Sequence, residues 1–229
     1  MTTTRRTFLS GAAGALALPG IVRAQESPGV TATELRIGTT YALSGPASAY
    51  SLIPKCLTAM FKRLNEQGGI AGRQVNFIVL DDAYSPPKTL EQARRLVEQD
   101  KVAFLFNNLG TPTNSAILRY VNQRKVPHLF LSTGADKWGN YQDTPWTMGW
   151  QPSYRTEAQI YAKSILEQKP NAKIGLIYQN DDFGKDGIAG LDSQIDAASV
   201  VDKQPYETSQ LSQPSMTVRS SWRVSMRSG

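Results

Sequence analysis

The stretch VAFLFNNLGTPTNSAILRYVNQRKVPHLFLSTGAD, residues 102–136, decides the fold. It opens with a short apolar run, residues 102–106, of the kind that a parallel sheet buries on both faces. A polar loop, residues 107–113, interrupts that run. Within the loop Thr111 can cap a helix, and Pro112 fits the first helical turn, where a missing N–H costs nothing. These features predict a strand, a loop and the start of a helix.

The second part of the stretch predicts the helix itself and another strand. The helix should run to Arg124 and end before Pro127, because its apolar residues recur at spacings of three and four: Ala116, Ile117, Tyr120 and Val121. Residues 128–131 form the next strand and residues 132–136 the loop after it. In such a βαβ unit the ligand crevice lies outside the carboxyl ends of the strands. Both polar loops should therefore face the same crevice.

The chain before this unit alternates strands and helices in the same way. Strands are predicted at residues 35–40 and 75–80, and helices at residues 53–64 and 88–99. With 229 residues and 40% hydrophobic content, the chain can build one large or two small α/β domains. The alternation predicts an α/β fold with a doubly wound parallel sheet.

The rhythm stops at residues 138–154, which hold three of the four tryptophans. Such a change of composition is typical of a crossover between lobes, where the aromatic side chains either wall a cleft or pack the hinge. Regular patterns then return and predict a second sheet, with helices at 154–168 and 187–198, strands at 173–178 and 200–206, and a loop at 179–185.

The first residues of the chain resemble a twin-arginine export signal. Arg5 and Arg6 precede an apolar run, residues 8–18, and residues 22–24 offer a cleavage site. Eleven residues are too few to span a bilayer, which needs about 20. We therefore expect a signal peptide at residues 1–24, a mature protein that starts at Gln25, and a periplasmic location.

The basic charge of the chain belongs to its two ends. The formal net charge is +6, but six arginines lie in the first 24 residues or after residue 208, where there are no acids. The other 19 basic residues balance the 19 acidic ones. Without a basic surface on the folded part, nucleic acid is not an expected partner.

The residues that common enzymes need are missing. The loop after the first strand has no G-x-G-x-x-G, Gly184-Lys185 lacks the upstream glycine of a phosphate loop, and the chain contains no G-x-S-x-G. There is one histidine, His128, which is predicted as a strand residue. We expect no catalytic residue, no cofactor and no metal, although a flavodoxin-like or Rossmann enzyme stays as a rival interpretation.

Several short motifs, in order, resemble those of one family. They are Ile37-Gly38 with residues 43–46, Asn65 with residues 68–72, Asp81-Asp82, residues 132–135 and residues 180–185. The chain resembles the type I periplasmic solute-binding proteins of ABC transporters, in the branched-chain amino acid (Leu/Ile/Val-binding) group. The resemblance implies two α/β lobes joined by a hinge, a small ligand buried between them, and a membrane permease as partner. A monomer is expected.

The resemblance also implies the ligand-binding residues, which are Tyr50, Gly110, Thr111, Ser132, Thr133, Gly134, Ala135 and Phe183. Hydroxyl groups and helix N–H groups near Thr111 suit a ligand carboxylate. Asp136 departs from the small hydroxyl residue often found there, and the aromatic stretch at residues 138–154 keeps an aromatic carboxylate open as an alternative to an amino acid. A ligand-sensing domain of the same fold is the alternative function.

The resemblance divides the chain into lobe 1 at residues 25–148 and the start of lobe 2 at residues 149–208. Residues 209–229 are rich in serine and arginine and have no acid, so we interpret them as a frame-shifted, disordered tail of a truncated member. A partial second lobe should bind ligand weakly and leave Ile174, Leu176 and Ile177 partly uncovered.

Overall fold

The computed structural model describes residues 27–208, so the predicted signal peptide and the predicted tail lie outside the described residues. The described chain forms a five-stranded sheet of order β2-β1-β3-β4-β5 and a two-stranded sheet of β6 and β7, both parallel. The strands are β1 (Glu34–Tyr41), β2 (Gln74–Asp81), β3 (Phe104–Phe106), β4 (His128–Leu131), β5 (Thr147–Gly149), β6 (Ile174–Gln179) and β7 (Val200–Tyr206). The helices are α1 (Leu52–Glu66), α2 (Pro86–Arg94), α3 (Thr111–Gln123), α4 (Tyr154–Gln168) and α5 (Asp182–Asp192).

Helices cover both faces of the first sheet. On one face Phe104 and Phe106 pack with Phe61 of α1, and on the other Leu105 packs against α2 and α3. This alternation along β3 follows from the period of two in a strand and explains why its sequence is apolar throughout. The predicted doubly wound α/β fold is confirmed.

The sequence did not predict β5. It is three residues long, lies in the aromatic stretch, and pairs with β4 from His128 to Leu131. A strand that short leaves no periodic pattern, and its neighbours Pro145 and Trp146 gave the appearance of an irregular crossover. The first sheet therefore includes Thr147–Gly149, which straddles the predicted lobe boundary at residue 148.

The predicted position of α5 was wrong. The helix was expected at residues 187–198 but runs over Asp182–Asp192. Asp181 caps it by accepting the N–H of Gly184 at 3.3 Å, which places Phe183 in its first turn. The glycines of this segment lower helix propensity and hid the start of the helix.

Smaller boundary errors occur at β3 and at the end of α2. The predicted strand at 102–106 begins at Phe104, since the Val102 N–H still bonds to the Leu96 carbonyl at 3.0 Å. The predicted helix at 88–99 is an α-helix only to Arg94 and ends in a π-helical turn, Arg95–Gln99.

The second sheet is covered by helices on one face. α4 and α5 pack together over Ile174 and Leu176, which are half-buried there. Ile177 points to the opposite face and is 49% exposed. The expected partial exposure is therefore largest at Ile177 and smaller at Ile174 and Leu176, which the two helices cover in part.

Candidate functional site

Polar loops from several strands meet at one edge of the first sheet. Residues 107–110 follow β3 and residues 132–135 follow β4, and the Gly110 N–H donates to the Ser132 carbonyl at 3.2 Å. The second sheet turns its own carboxyl end, at Gln179, toward the same place. The candidate site is thus assembled from both sheets at the position that parallel α/β topology predicts.

The N terminus of α3 lies at the centre of this edge. Gly110 is its N-cap, has a φ of 92°, and no side chain caps the helix there. A Cβ on Gly110 would lie 2.5 Å from Cε2 of Tyr84, so only glycine fits both the backbone conformation and the approach of that ring. The helix therefore presents its positive end to the site without a side-chain cap.

Two buried hydroxyl groups accompany the helix terminus. Thr111 Oγ1 and Thr133 Oγ1 are 2.5 Å apart, and the indole N–H of Trp138 donates to Thr133 Oγ1 at 3.4 Å. If Thr133 donates to Thr111, the Thr111 hydrogen is free for another acceptor. The donors then follow one another from the core toward the site, from Trp138 to Thr133 to Thr111.

Tyr41 lies below these loops and is fully buried. Its phenol donates to Asn107 Oδ1 at 2.5 Å. Burial raises the pKa of Tyr41 to about 12, although a hydrogen bond from Ser132 acts in the opposite direction. Tyr41 is therefore neutral at physiological pH and ties Ser132 to the loop after β3.

Aromatic side chains line the opposite side. The rings of Tyr154 and Phe183 are 4.6 Å apart at 61°, and the Tyr154 N–H donates to the Gly134 carbonyl at 2.9 Å. Burial raises the pKa of Tyr84, while a hydrogen bond with Gln179 acts to lower it. Tyr84 thus joins the end of β2 to the end of β6, and Tyr50 lies close enough to influence it electrostatically.

Charged side chains connect the loop after β4 to the helices of the second sheet. Arg155 Nε lies 2.6 Å from Asp136 Oδ2, and Lys137 Nζ lies 2.7 Å from Asp182 Oδ2. The Asp136 N–H donates to Asp186 Oδ2 at 2.8 Å. Asp136, which departs from the family pattern, therefore forms part of the contact between the two sheets.

The acids that end β2 have structural partners. Asp81 accepts hydrogen bonds from the backbone N–H groups of Leu43, Ser44 and Ala83. Asp82 accepts hydrogen bonds from the backbone N–H of Tyr84 and from the Thr89 hydroxyl.

Among residues 27–208 no group of three or more His, Cys, Asp or Glu side chains could hold a metal ion. Over the same residues no helix is long and apolar enough to cross a membrane.

The structure brings the predicted site residues to one region, at differing distances from the surface. Gly110, Thr111, Thr133 and Gly134 are buried, and Ser132 is half-buried. Ala135 packs its side chain with Leu131 and Trp138, which leaves its backbone for the site. Phe183 is 39% and Tyr50 is 53% exposed. Their roles in binding stay predictions.

Sequence reasoning missed Tyr41, Tyr84 and Gln179, and it named Tyr154 only as part of the aromatic stretch. Each of the first three stands at or just after the carboxyl end of a predicted strand, so the rule that located Thr111 would also have found them. Of the other aromatic residues in that stretch, Trp138 reaches Thr133, whereas Trp150 is 70% exposed and contacts Phe130.

Comparison with known proteins agrees with this architecture. Residues 34–220 match the family described as periplasmic binding protein. The leucine-specific-binding protein of Salmonella typhimurium is 25% identical over 177 residues, which are 75% of this chain and 46% of that protein. The chain therefore spans about half the length of the relatives that it matches.

Two solved structures show the shared fold. A possible leucine/isoleucine/valine-binding protein from Rhodopirellula baltica has a TM-score of 0.68 and 26% identity, over 82% of this chain and 52% of that one. A solute-binding protein of an ABC transporter from Rhodopseudomonas palustris, in complex with 3,4-dihydroxybenzoic acid, has a TM-score of 0.64 and 20% identity. That match covers 76% of this chain and 47% of that one.

Proposed function

The chain belongs to the periplasmic binding protein family, and from this premise we propose that it is the extracytoplasmic substrate-binding component of an ABC transporter. Its ligand is a small solute that carries a carboxylate, either a branched-chain amino acid or a related acid. The ligand binds between the two sheets and is delivered to a permease in the membrane. The observation that carries this proposal is the pair of Thr111 and Thr133 hydroxyls at the uncapped N terminus of α3.

A carboxylate at this position would be held by dipoles. Anions are stabilised at a helix N terminus by roughly 0.3–1 kcal/mol for each exposed contact. The nearby cations already have acidic partners, since Lys137 pairs with Asp182 and Arg155 with Asp136. Hydroxyl and N–H donors can bind a carboxylate without leaving a buried cation unpaired when the ligand departs.

The ligand body would lie against aromatic rings. Tyr84 covers Gly110 from one side, and Tyr154 and Phe183 stand together on the other. Both aliphatic and aromatic groups pack well against such faces. This wall therefore fits leucine or isoleucine as well as a benzoate, and the aromatic carboxylate is kept as the second candidate because the Rhodopseudomonas protein binds one.

Of the two ligand classes, only the amino acid carries an ammonium group. Asp181 lies on the side of the second sheet, and its charge acts to raise the pKa of Tyr84 and of Tyr206. Burial raises the pKa of Asp181. An ammonium nearby would favour its ionised form and bind to it, whereas an aromatic acid would be repelled.

Calorimetry on the full chain tests the proposal. L-leucine and 3,4-dihydroxybenzoate are titrated to millimolar concentrations, with D-ribose as a solute that has no carboxylate. Binding of either acid supports the proposal. The Asp181→Asn substitution should lower the affinity for L-leucine and not the affinity for 3,4-dihydroxybenzoate. If neither acid releases heat nor raises the melting temperature while the chain is folded, the carboxylate assignment is wrong.

We also propose export through the twin-arginine route to the periplasm, with cleavage before Gln25. The support is the Arg5-Arg6 pair followed by a short apolar run. N-terminal sequencing of the exported protein should begin at Gln25. Export that continues unchanged after Arg5→Lys and Arg6→Lys together would contradict the route.

A ligand-sensing domain is the alternative use of the same fold. It would bind the same solute but would not support uptake. Transport of radiolabelled ligand in cells with and without the gene separates the two functions, because a sensor changes expression and leaves uptake by a constitutively produced permease unchanged.

A further inference from the structure

A fully buried histidine lies behind the loop that carries the candidate site. His128 is the first residue of β4 and pairs with Leu105 of β3 and Thr147 of β5. Its Nε2 lies 2.8 Å from Oδ1 of Asn114, which is also fully buried in α3. Burying a polar pair between a sheet and a helix costs free energy unless the polar groups form hydrogen bonds. The hydrogen-bond partners of this pair therefore indicate which part of the structure it holds in place.

The amide of Asn114 is directed at the backbone of the site loop. Its Nδ2 donates to the Asn108 carbonyl at 2.9 Å and to the Gly110 carbonyl at 2.6 Å. The Asn108 carbonyl also accepts the N–H of Ser132 at 2.9 Å. One carbonyl thus connects the loop after β3 with the loop after β4.

These bonds determine the tautomer of the histidine. Because both amide hydrogens of Asn114 are directed at carbonyl groups, its Oδ1 must accept, and His128 Nε2 must carry the hydrogen. His128 Nδ1 is then unprotonated, and it has no hydrogen-bond partner among the described residues. Burial lowers the pKa of His128 to about 3, so the neutral form persists at physiological pH.

We propose that the His128–Asn114 pair is a positioning unit that holds the Asn108 and Gly110 carbonyls, and through them the Thr111 end of α3, in ligand-binding geometry. The inference rests on the proposed function for its consequence in binding. His128 and Asn114 are fully buried behind the loop and do not contact the ligand. They act through the loop, by fixing the direction in which the helix terminus and the Thr111 hydroxyl point.

Two substitutions of His128 separate positioning from simple filling of space. In His128→Gln the side-chain amide nitrogen can take the place of Nε2 and still donate to Asn114, whereas His128→Leu fills similar volume without a donor. Phe61→Leu is the control, because it destabilises the same sheet from the α1 face and leaves the His128–Asn114 hydrogen bond intact. All three variants are compared at equal global stability, which is adjusted with urea.

Hydrogen exchange on the ligand-free chain gives the first readout. His128→Leu should accelerate exchange of the amides in residues 108–113 by about tenfold relative to the rest of the sheet, since one buried acceptor loses its partner. His128→Gln should restore protection, and Phe61→Leu should leave this segment unchanged. Equal protection in His128→Leu and Phe61→Leu would overturn the proposal.

Nitrogen NMR of the histidine side chain gives a second readout that does not require a variant to fold. The expected spectrum at neutral pH is that of the Nε2–H tautomer. The Nδ1–H tautomer would overturn the assignment of donor and acceptor on which the proposal rests.

Titration with L-leucine and with 3,4-dihydroxybenzoate connects the unit to binding. The affinity for the acid should fall about tenfold in His128→Leu and by much less in His128→Gln. If exchange and tautomer behave as expected but neither acid binds the unsubstituted chain, the positioning unit stands and the proposed function fails. If the acids bind equally to all variants, the proposed function stands and the positioning role fails.

Discussion

The guanidinium Nε of Arg155 lies 2.6 Å from the carboxylate of Asp136, and so the first turn of α4 is tied to the loop that follows β4. The same carboxylate accepts the Ser153 hydroxyl, and its backbone N–H donates to Asp186 of α5. Burial would raise the pKa of Asp136, but the hydrogen bonds from Ser153 and Arg155 outweigh it and lower the pKa. Asp136 therefore stays ionised and joins the two sheets.

Loss of this ion pair should loosen the arrangement of the two sheets. In Asp136→Asn the contact with Arg155 loses its charge, so small-angle scattering should show a larger radius of gyration, most clearly at low salt, where screening is weak. Raising the salt should shift the unsubstituted chain in the same direction. Asp143→Asn, in the same connecting segment, is the control and should scatter like the unsubstituted chain. Identical scattering of Asp136→Asn would show that the pair does not hold the sheets together.

The Thr111 hydroxyl should contribute directly to ligand affinity. Removing one hydrogen bond to a charged ligand group costs roughly 1.5–3 kcal/mol of binding free energy. Thr111→Val should therefore lower the affinity for L-leucine or 3,4-dihydroxybenzoate by about ten- to a hundredfold. Calorimetry measures the change, and Thr156→Val, at an exposed position of α4, serves as the control. Unchanged affinity in a folded Thr111→Val variant would remove this hydroxyl from the site.

Asp81 should stabilise the loop that carries Tyr50. Its carboxylate accepts three backbone N–H groups and the Ser44 hydroxyl and lies 3.1 Å from Lys88 Nζ. Asp81→Asn would turn an N–H₂ group toward these donors and should lower the free energy of unfolding by about 1–3 kcal/mol, measured by urea titration. Asp192→Asn, which breaks an exposed pair with Lys203, should cost less than about 1 kcal/mol. Equal effects would contradict the role of Asp81.

Sequence periodicity predicted the elements that have a regular pattern. The helix at Tyr154–Gln168 has the predicted bounds, because its apolar residues repeat at helical spacing. The strands at His128–Leu131 and Val200–Tyr206 also have the predicted bounds. The three-residue β5 and the glycine-containing start of α5 have no such pattern. Their positions depend on contacts distant in sequence, such as the β4–β5 pairing.

The outer face of α1 shows the same limit at the level of single residues. The helical spacing of α1 predicts that Cys56 is a small buried residue and that Met60 lies on the inner face, but Cys56 is exposed and Met60 is 48% exposed. The buried stripe of α1 is narrower than the apolar pattern, since its buried residues are Pro54 and Phe61. In the candidate site the rule of strand ends found Thr111 and Ser132, whereas the ring of Tyr84 over Gly110 could only be seen in three dimensions.

His128 should make the chain sensitive to acid, and the sign follows from its environment. The folded pKa of about 3 lies below the ordinary value of 6.5, and burial is its cause, with no charged group contributing. The unfolded chain therefore binds one more proton than the folded chain between these values. Stability is unaffected above pH 6.5 and is lost as the pH falls, by up to about 1.4 kcal/mol per pH unit.

A comparison with His128→Gln isolates this effect, because the variant keeps every carboxyl group of the chain and lacks only the titrating ring. Urea titrations between pH 7.5 and 4.5 should show that the free energy of unfolding of the unsubstituted chain falls by about 3 kcal/mol more than that of the variant. The carboxyl groups contribute equally to both curves, so the difference belongs to His128. Parallel curves would mean that the ring accepts a proton in the folded state as readily as in the unfolded state, and would contradict its neutrality in the folded chain.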